Sequence, residues 1–191
     1  LAASEYNAHP GITKSAICAA RIDRETVSMA EMRAAMMHDR DDDSDATAAM
    51  QWGTLAHAVM FEPIVFAGRL ALWSGTRRGK EWEAFKAGAK SDRKWTVTET
   101  ELCKLEAMRK AVQASATARA IMADVTDTEL PICWRDPDYG VAKGRIDACG
   151  PDLLVEYKTC RDISKRRFQY SASDLGYHLG IAWYWHGYAR P

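Results

Sequence analysis

Apolar residues in the first part of the chain recur at intervals typical of helices. Residues 12–38 are rich in helix formers and predict two helices, and Ala46–Phe61 has the composition of a mostly buried helix. We expect Gly53 to interrupt that helix and Pro63 to close it. Between these stretches, Asp39–Asp45 is a run of acidic residues that repel one another, which predicts a solvated loop rather than a metal site.

Capping signals and helical spacing predict three more helices further along. One is expected near Lys80–Lys90, within a polar connecting region. The capping box in Val97–Glu101 should open a long helix that continues to about Ala123. Ser173 should cap a last helix, which contains Tyr177 and several apolar residues.

From residue 128 the pattern changes to short apolar runs separated by turn residues, which predicts strands. Glu129 begins the first strand, and Asp136–Gly140 forms a hairpin turn to the second. The second strand, Val141–Cys149, is followed by a tight turn and a third strand, Leu153–Lys158. Helices followed by paired strands predict an α/β fold.

Charged side chains stand at the end of the third predicted strand. Glu156 and Lys158 are two residues apart, so strand geometry directs both to one face, and strand pairing can place Asp147 beside Glu156. Burying such charges is costly unless they have a function. Two carboxylates suit Mg²⁺, and a lysine can orient a metal-activated water. The pattern indicates metal-assisted phosphodiester cleavage; an ordinary ion pair at a sheet edge is the alternative.

Length and composition limit the classes of protein to consider. The 191 residues suffice for one domain with a buried core. Lys and Arg together number 26, as do Asp and Glu. This balance argues against a protein that coats DNA, although not against an enzyme with a local basic channel. The chain begins at Leu1 rather than Met, so we expect it to lack its first residues.

The five cysteines are odd in number, scattered and without a CxxC pair. This pattern is typical of reduced residues in the cytoplasm, and we expect most of them in the core. No apolar run is long enough to cross a bilayer and no signal peptide is present, so we expect no membrane partner.

A locally basic stretch lies between Arg77 and Trp95, with Trp82 inside it. One interpretation is a rim that follows a DNA backbone and stacks on bases. The other is a solvated helix face with both tryptophans turned inward. The sequence leaves these two interpretations open.

Asp147 and Glu156–Thr159 together resemble the PD-(D/E)xK nuclease signature. The surrounding sequence resembles more specifically the RecE-type exonucleases of prophages (exonuclease VIII), with lambda exonuclease and RecB-type nuclease domains as more distant relatives. The segments that carry this resemblance are Pro10–Ser15, Trp52–His57, Phe61–Pro63, Glu129 with Ile132–Trp134, Gly144–Asp147 and Tyr177–His178.

The resemblance implies a PD-(D/E)xK core, which is a small mixed central sheet flanked by helices, with an N-terminal helical part. It implies one nuclease domain over residues 1–191, made of a helical part at 1–68, a basic connecting region with a long helix at 69–126, and a catalytic sheet with its following helix at 127–191. These families usually continue with another strand and helix, so we expect the C-terminal end to be missing.

The resemblance also implies roles at the site. By position alone, His57 on an apolar helix is more typical of a core residue, whereas the resemblance places it at the metal. Glu129 would support the metal or its water, and Lys158 would orient the attacking water. Crowding of carboxylates should raise some of their pKa values until metal binds. The metal ligands implied are His57, Asp147, Glu156 and the carbonyl of Tyr157.

The implied cofactor is Mg²⁺, with Mn²⁺ as a substitute. Some related nucleases hold an iron–sulfur cluster on C-terminal cysteines, but only Cys160 follows the active-site strand here, so we expect no cluster. Arg145 shares a strand face with Asp147 and could contact a phosphate or pair with a neighbouring acid. The residues expected to bind substrate are Arg145, Thr159, Arg161, Lys165, Tyr177 and His178.

One position departs from the superfamily pattern. A Gln-x-x-x-Tyr motif on the last helix helps to position substrate in the superfamily, but the register here gives Gly180-x-x-x-Tyr184. Tyr177 or His178 could cover part of the role of the missing glutamine. A catalytically impaired relative is the alternative.

The resemblance implies a 5′–3′ exonuclease that acts on duplex DNA ends for phage-type recombination, in the cytoplasm of a bacterial host. The implied partners are further copies of the chain in a closed ring and a single-strand annealing recombinase. A related endonuclease or repair nuclease, which would also cut closed circles, is an alternative. A DNA-binding remnant without chemistry is another, and a structural helical protein is a third.

Overall fold

The structure is a computed structural model that describes residues 11–14, 47–137 and 140–189. It has two compact units, one of Ala46–Val125 and the other of Leu1–Asp45 with Thr126–Pro191. The helices predicted over residues 12–38 fall outside the described residues from position 15 onward, and so does the acidic loop at Asp39–Asp45. The assignment of the whole chain to one nuclease domain stays a prediction.

The first unit is mainly helical. Its elements are α1 (Ala48–Phe61), α2 (Pro63–Arg69), β1 (Leu70–Trp73), α3 (Gly79–Ser91), β2 (Trp95–Thr98), α4 (Glu99–Ala114) and α5 (Ala116–Ala123).

Helix α1 begins where the side chain of Thr47 accepts a hydrogen bond from the backbone N–H of Met50. The helix continues through Gly53, so the expected interruption is wrong. No described atom lies within 4 Å of a Cβ placed on Gly53, so this glycine is not needed for close packing. Pro63 lies in the first turn of α2. The N–H groups of a first turn have no partner within the helix, so the missing N–H of proline costs no helical hydrogen bond there.

Strands β1 and β2 form a parallel pair, with α3 as the crossover between them. Neither strand is predicted from the sequence, because four-residue strands are too short to show a period. Trp82 on α3 is buried against Trp73, with ring centroids 5.7 Å apart. Trp95 stacks on Phe66, with centroids 6.2 Å apart. These contacts favour the interpretation in which the tryptophans turn inward.

The capping box at the start of α4 is present as predicted. Thr98 accepts from the backbone N–H of Glu101, and the Glu101 carboxylate accepts from the backbone N–H of Thr98. The single long helix to Ala123 is wrong, because Ser115 leaves the helical conformation (ψ 121°) and caps α5. Serine is a favourable N-cap residue, since its hydroxyl accepts a hydrogen bond from the backbone N–H of Ala118 in the first turn of α5.

The second unit contains a three-stranded antiparallel sheet in the order β3-β4-β5. Hairpin pairing of β3 with β4 runs from Asp127 opposite Cys149 to Asp136 opposite Gly140. The described N-terminal residues join this unit, since Ile12 bridges to Ala142. The elements are β3 (Asp127–Asp136), β4 (Gly140–Gly150), β5 (Leu153–Val155), α6 (Lys165–Asp174) and α7 (Tyr177–Tyr188).

Three features of this unit differ from those predicted. Strand β5 ends at Val155, so Glu156 and Lys158 follow the strand rather than belong to it. Helix α6, which begins at Lys165, is not among the predicted helices. Ser173 caps no helix but lies within α6, and α7 starts instead after Gly176, whose φ of 65° suits glycine.

Helix α7 packs on β3 and β4 through aromatic rings and glycines. Trp134 on β3 and Trp183 on α7 have ring centroids 4.8 Å apart. A Cβ on Gly187 would lie 2.5 Å from the Trp134 ring, and a Cβ on Gly144 would lie 2.8 Å from the Tyr184 ring. Only glycine at these two positions lets the rings approach the backbone so closely.

The described cysteines follow the core expectation only in part. Cys149 is completely buried, and its pKa is raised mainly by that burial. Cys103 is exposed, and Cys133 and Cys160 are half-buried, so the prediction that most lie in the core is wrong for the described four. Within the described residues, no helix is both long and apolar enough to pass through a bilayer.

Gly187→Ala should lower the free energy of unfolding by about 1–3 kcal/mol, because the added methyl group collides with the rigid Trp134 ring. Urea unfolding followed by tryptophan fluorescence measures this change. Gly88→Ala is the matched control: Gly88 is also helical, but open space surrounds its Cβ position, so stability should stay equal or rise by up to about 1 kcal/mol. Equal effects of the two substitutions would contradict this account of the packing.

Candidate active site

Two acidic residues face each other across the β3–β4 hairpin. The register places Glu129 opposite Asp147, between the pairs Thr128–Ala148 and Leu130–Ile146. Glu129 has a φ of 51°, which is rare for a residue with a side chain and costs about 1 kcal/mol or more. A carboxylate oxygen of Glu129 and one of Asp147 lie within 4.8 Å of each other.

Asp147 is buried and held by groups from the segment after β5. The backbone N–H of Tyr157 donates a 2.7 Å hydrogen bond to Oδ2 of Asp147. The ammonium group of Lys158 lies 3.7 Å from the same oxygen. Pairing of β4 with β5 positions both groups, because Ala148 pairs with Val155 at the end of the sheet. The chain therefore passes Asp147 directly after leaving the strand.

Lys158 brings the carboxylates of Asp147 and Glu156 to one point. Its Nζ lies 2.8 Å from Oε1 of Glu156 and donates a 3.1 Å hydrogen bond to the carbonyl of Tyr157. The Glu156 side chain is only 8% exposed, so this pair is well shielded from solvent. These two side chains meet as the sequence predicts, although β5 ends at Val155, three residues before the predicted end of the strand.

A second lysine, Lys14, also binds Glu156. Its ammonium group makes a short ion pair with Oε1, the same oxygen that Lys158 contacts. Burial alone would raise the pKa of Glu156, but hydrogen bonds and charges from Lys14 and Lys158 outweigh burial and hold this pKa below its ordinary value. The direction is opposite to the rise expected from crowded carboxylates. This role of Lys14 is not predicted from the sequence, because no local pattern indicates a contact between residues so far apart in the chain.

Glu129 has its own cationic partner. Arg145 Nε donates a 2.6 Å hydrogen bond to Oε2 of Glu129. The two residues lie on neighbouring strands, with Arg145 two positions before Asp147. The ion-pair alternative considered for Arg145 is therefore present, and its half-exposed side chain (43%) still reaches solvent. The site thus holds three carboxylates next to three cationic groups.

These residues fit a hard divalent cation. Oε2 of Glu156 is buried, and among the described residues no donor reaches it. Two oxygens that share one Mg²⁺ are at most about 4.2 Å apart, so Glu129 and Asp147 are within a small rotation of a shared ion. Oxygen-only carboxylate donors of this kind are those that Mg²⁺, Ca²⁺ and Mn²⁺ accept. The close pair does not include Glu156, whose Oε1 is held by the lysines.

The remaining predicted residues differ in exposure. His57 is half-buried on α1 of the helical unit, with its ring centroid 6.0 Å from that of Phe61. Tyr177 begins α7, and the Lys158 ammonium lies 5.8 Å from its ring centroid. Thr159 is half-buried, while Arg161, Lys165 and His178 are exposed. Their binding roles, and that of His57 as a metal ligand, stay predictions.

Comparison with known families places this geometry in context. Residues 22–191 match the family described as a PDDEXK-like domain of unknown function (DUF3799). No curated protein matches the chain. The predicted α/β class with a PD-(D/E)xK-like core is confirmed by this match and by the small sheets and flanking helices of the structure. The match bears on the superfamily and not on the RecE-type exonucleases within it.

The left-handed backbone at Glu129 can be tested with two substitutions that remove the same carboxylate. Glu129→Gly should be about 1 kcal/mol more stable than Glu129→Ala, because glycine adopts a φ of 51° without steric cost. Urea unfolding of both variants measures the difference. An alanine variant as stable as the glycine variant would show that position 129 carries no such strain.

Stability should also depend on the ionisation of Glu156. Its pKa is lower in the folded than in the unfolded chain, so its contribution is complete above the ordinary value of 4.5 and is lost as the pH falls through the folded pKa. Glu156→Gln keeps the shape but cannot ionise. We expect the free energy of unfolding to fall less steeply with acidification in this variant, when both proteins are unfolded in urea at a series of pH values. Parallel curves would contradict the pKa direction.

Proposed function

Because the chain belongs to this PDDEXK-like family, we propose that it is a metal-dependent nuclease that hydrolyses phosphodiester bonds in DNA. One observation carries the proposal: the Lys158 ammonium lies 2.8 Å from Glu156 and 3.7 Å from Asp147, at the open end of the sheet. A lysine beside shielded carboxylates suits metal-assisted hydrolysis, because the carboxylates can hold the ion and the lysine can stabilise the developing charge.

Asp147 and Glu156 would hold the metal, with Glu129 beside Asp147. Bound there, the ion would lower the pKa of a water molecule and neutralise charge on the phosphate. His57 from the helical unit is proposed as a further ligand on the resemblance of its sequence segment. The carbonyl of Tyr157 is a weaker candidate, because it already accepts from Lys158.

Lys158 is proposed to orient the attacking water and to stabilise the developing charge. Its ammonium carries three donors, and two of its neighbours are Oε1 of Glu156 and the carbonyl of Tyr157. These contacts hold the group in place before substrate arrives, which is the condition for electrostatic stabilisation of a transition state.

Basic side chains around this centre are proposed to contact the DNA backbone. The exposed residues Arg161 and Lys165 follow the catalytic segment directly, and Arg145 reaches solvent beside Glu129. Phosphate contacts of this kind make binding weaker as salt increases. Thr159, Tyr177 and His178 complete the proposed substrate-binding set.

Within the nuclease class, we favour a 5′–3′ exonuclease on duplex ends, with Mg²⁺ as the metal and Mn²⁺ as a substitute. The support is the order of RecE-like segments along the chain, from Pro10–Ser15 to Tyr177–His178. The same resemblance supports phage-type recombination in a bacterial cytoplasm, a ring of identical subunits and a single-strand annealing partner.

Two other functions remain distinct alternatives. An endonuclease or repair nuclease would use the same residues but would also cut closed circles. A DNA-binding relative without chemistry is favoured by one observation, which is that glycine occupies position 180 in place of the superfamily glutamine.

Lys158→Ala should lower DNA cleavage by at least about a hundredfold, because the group that orients water and stabilises charge is removed. The measurement is degradation of linear duplex DNA and of relaxed closed circles, each with Mg²⁺ and with EDTA. We expect the wild type to degrade linear DNA but not closed circles, and to do so only when Mg²⁺ is present. Lys104→Ala, at an exposed lysine on α4, is the control and should cleave normally.

The outcomes separate the alternatives. Nicking of closed circles would replace the exonuclease proposal with an endonuclease. Full activity of Lys158→Ala would refute the assigned site. Absence of cleavage together with metal-independent DNA binding would favour the relative without chemistry.

A further inference from the structure

Gly180 is an unusual position in helix α7, because another side chain occupies the space beside it. A Cβ placed on Gly180 would lie 2.6 Å from Cδ and 3.1 Å from Nζ of Lys14, and 3.2 Å from Oε2 of Glu156. Gly180 is buried and its φ is not in the left-handed region, so backbone conformation does not require glycine. Glycine is needed at position 180 because the Lys14 side chain passes along the helix there.

Lys14 reaches Glu156 through this space. Its ammonium pairs with Oε1 of Glu156, and it lies 5.4 Å from the ring centroid of Tyr184, one helical turn after Gly180. The Lys14 side chain is 24% exposed, so the pair is largely shielded. A lysine from the N-terminal segment thus supplies hydrogen-bond donors beside Gly180, which has no side chain to do so.

The two lysines act on Glu156 in a specific way. Both bind Oε1, which leaves Oε2 buried and, among the described residues, without a donor. A carboxylate whose one oxygen is bound by two ammonium groups cannot rotate freely, so its second oxygen keeps a defined position. An unpaired buried oxygen is costly unless it gains a partner, and a cation or the substrate's water would supply that partner.

We infer that Lys14 is a second lysine of the active centre, a positioning residue that holds Glu156 through Oε1 in the space left open by Gly180. The inference rests on the proposed nuclease function and extends it to a residue outside the PD-(D/E)xK signature. It also accounts for glycine at position 180, because a Cβ there would overlap the Lys14 side chain where it reaches Glu156.

The test compares Lys14→Met, Gly180→Ala and the double variant. Methionine keeps the length of lysine without its charge, and alanine at 180 pushes the intact lysine away. Each single variant should lower kcat on linear duplex DNA with Mg²⁺ by about 10- to 100-fold, with KM for DNA little changed. The double variant should be no slower than the slower single variant, because both changes remove the same contact. Lys104→Met and Gly88→Ala are the matched controls and should leave kcat unchanged.

A readout without metal or DNA accompanies the kinetics. Lys14→Met and Glu156→Gln should each lower the urea midpoint of unfolding, and their combination should lower it no further than the worse single change. If Lys14→Met does not fold, Gly180→Ala with Glu156→Gln provides the same comparison, because the flexible Lys14 side chain can make room for the added methyl group by moving away from Glu156.

The possible results are distinguishable. If the loss of kcat in the double variant equals the product of the two single losses, the inference is overturned. Unchanged kcat in Gly180→Ala would also overturn it. Both results would leave the nuclease function in place. A wild type that cleaves no DNA with Mg²⁺ or Mn²⁺ would refute the proposed function instead. In that case the urea midpoints of unfolding decide. Additive changes in midpoint would overturn the positioning of Glu156 by Lys14, and non-additive changes would support it.

Discussion

The second unit depends on keeping three carboxylates close together at the end of its sheet. Each would be costly to hold in a shielded place without a partner, because an unpaired buried charge loses its hydration. The chain meets this constraint with at least one cationic group near each carboxylate, and with a backbone N–H that donates to Asp147. The pairs are Glu129 with Arg145, Asp147 with Lys158, and Glu156 with Lys14 and Lys158. A balanced site of this kind can accept a cation and a phosphate without a large net charge.

The sheet and one helix provide the geometry for these contacts. Hairpin register sets Glu129 opposite Asp147, and the early end of β5 turns the following backbone so that Tyr157 N–H points at Asp147. Helix α7 lies close behind, because glycines at 144 and 187 admit aromatic rings against the backbone. The close packing of α7 and the open space at Gly180 are therefore parts of one arrangement.

This arrangement gives the absent superfamily glutamine a physical meaning. The resemblance leads us to expect a glutamine at position 180, where glycine has no side chain to donate a hydrogen bond. In the structure Lys14 occupies the space beside Gly180 and binds the same oxygen of Glu156 as Lys158. Glycine at this position is therefore not by itself a sign of lost chemistry.

The sequence by itself determined the features that depend on neighbouring residues. Three features follow from short-range spacing within one stretch of chain. They are the capping box at Thr98 and Glu101, the antiparallel pairing of β3 with β4, and the approach of Glu156 and Lys158. Only the tertiary structure decided the parallel pairing of β1 with β2, the break at Ser115 and the left-handed backbone of Glu129. It also decided the contact of Lys14 with Glu156, which are 142 positions apart. Such contacts are set by packing between distant segments, and no local pattern in the sequence records them.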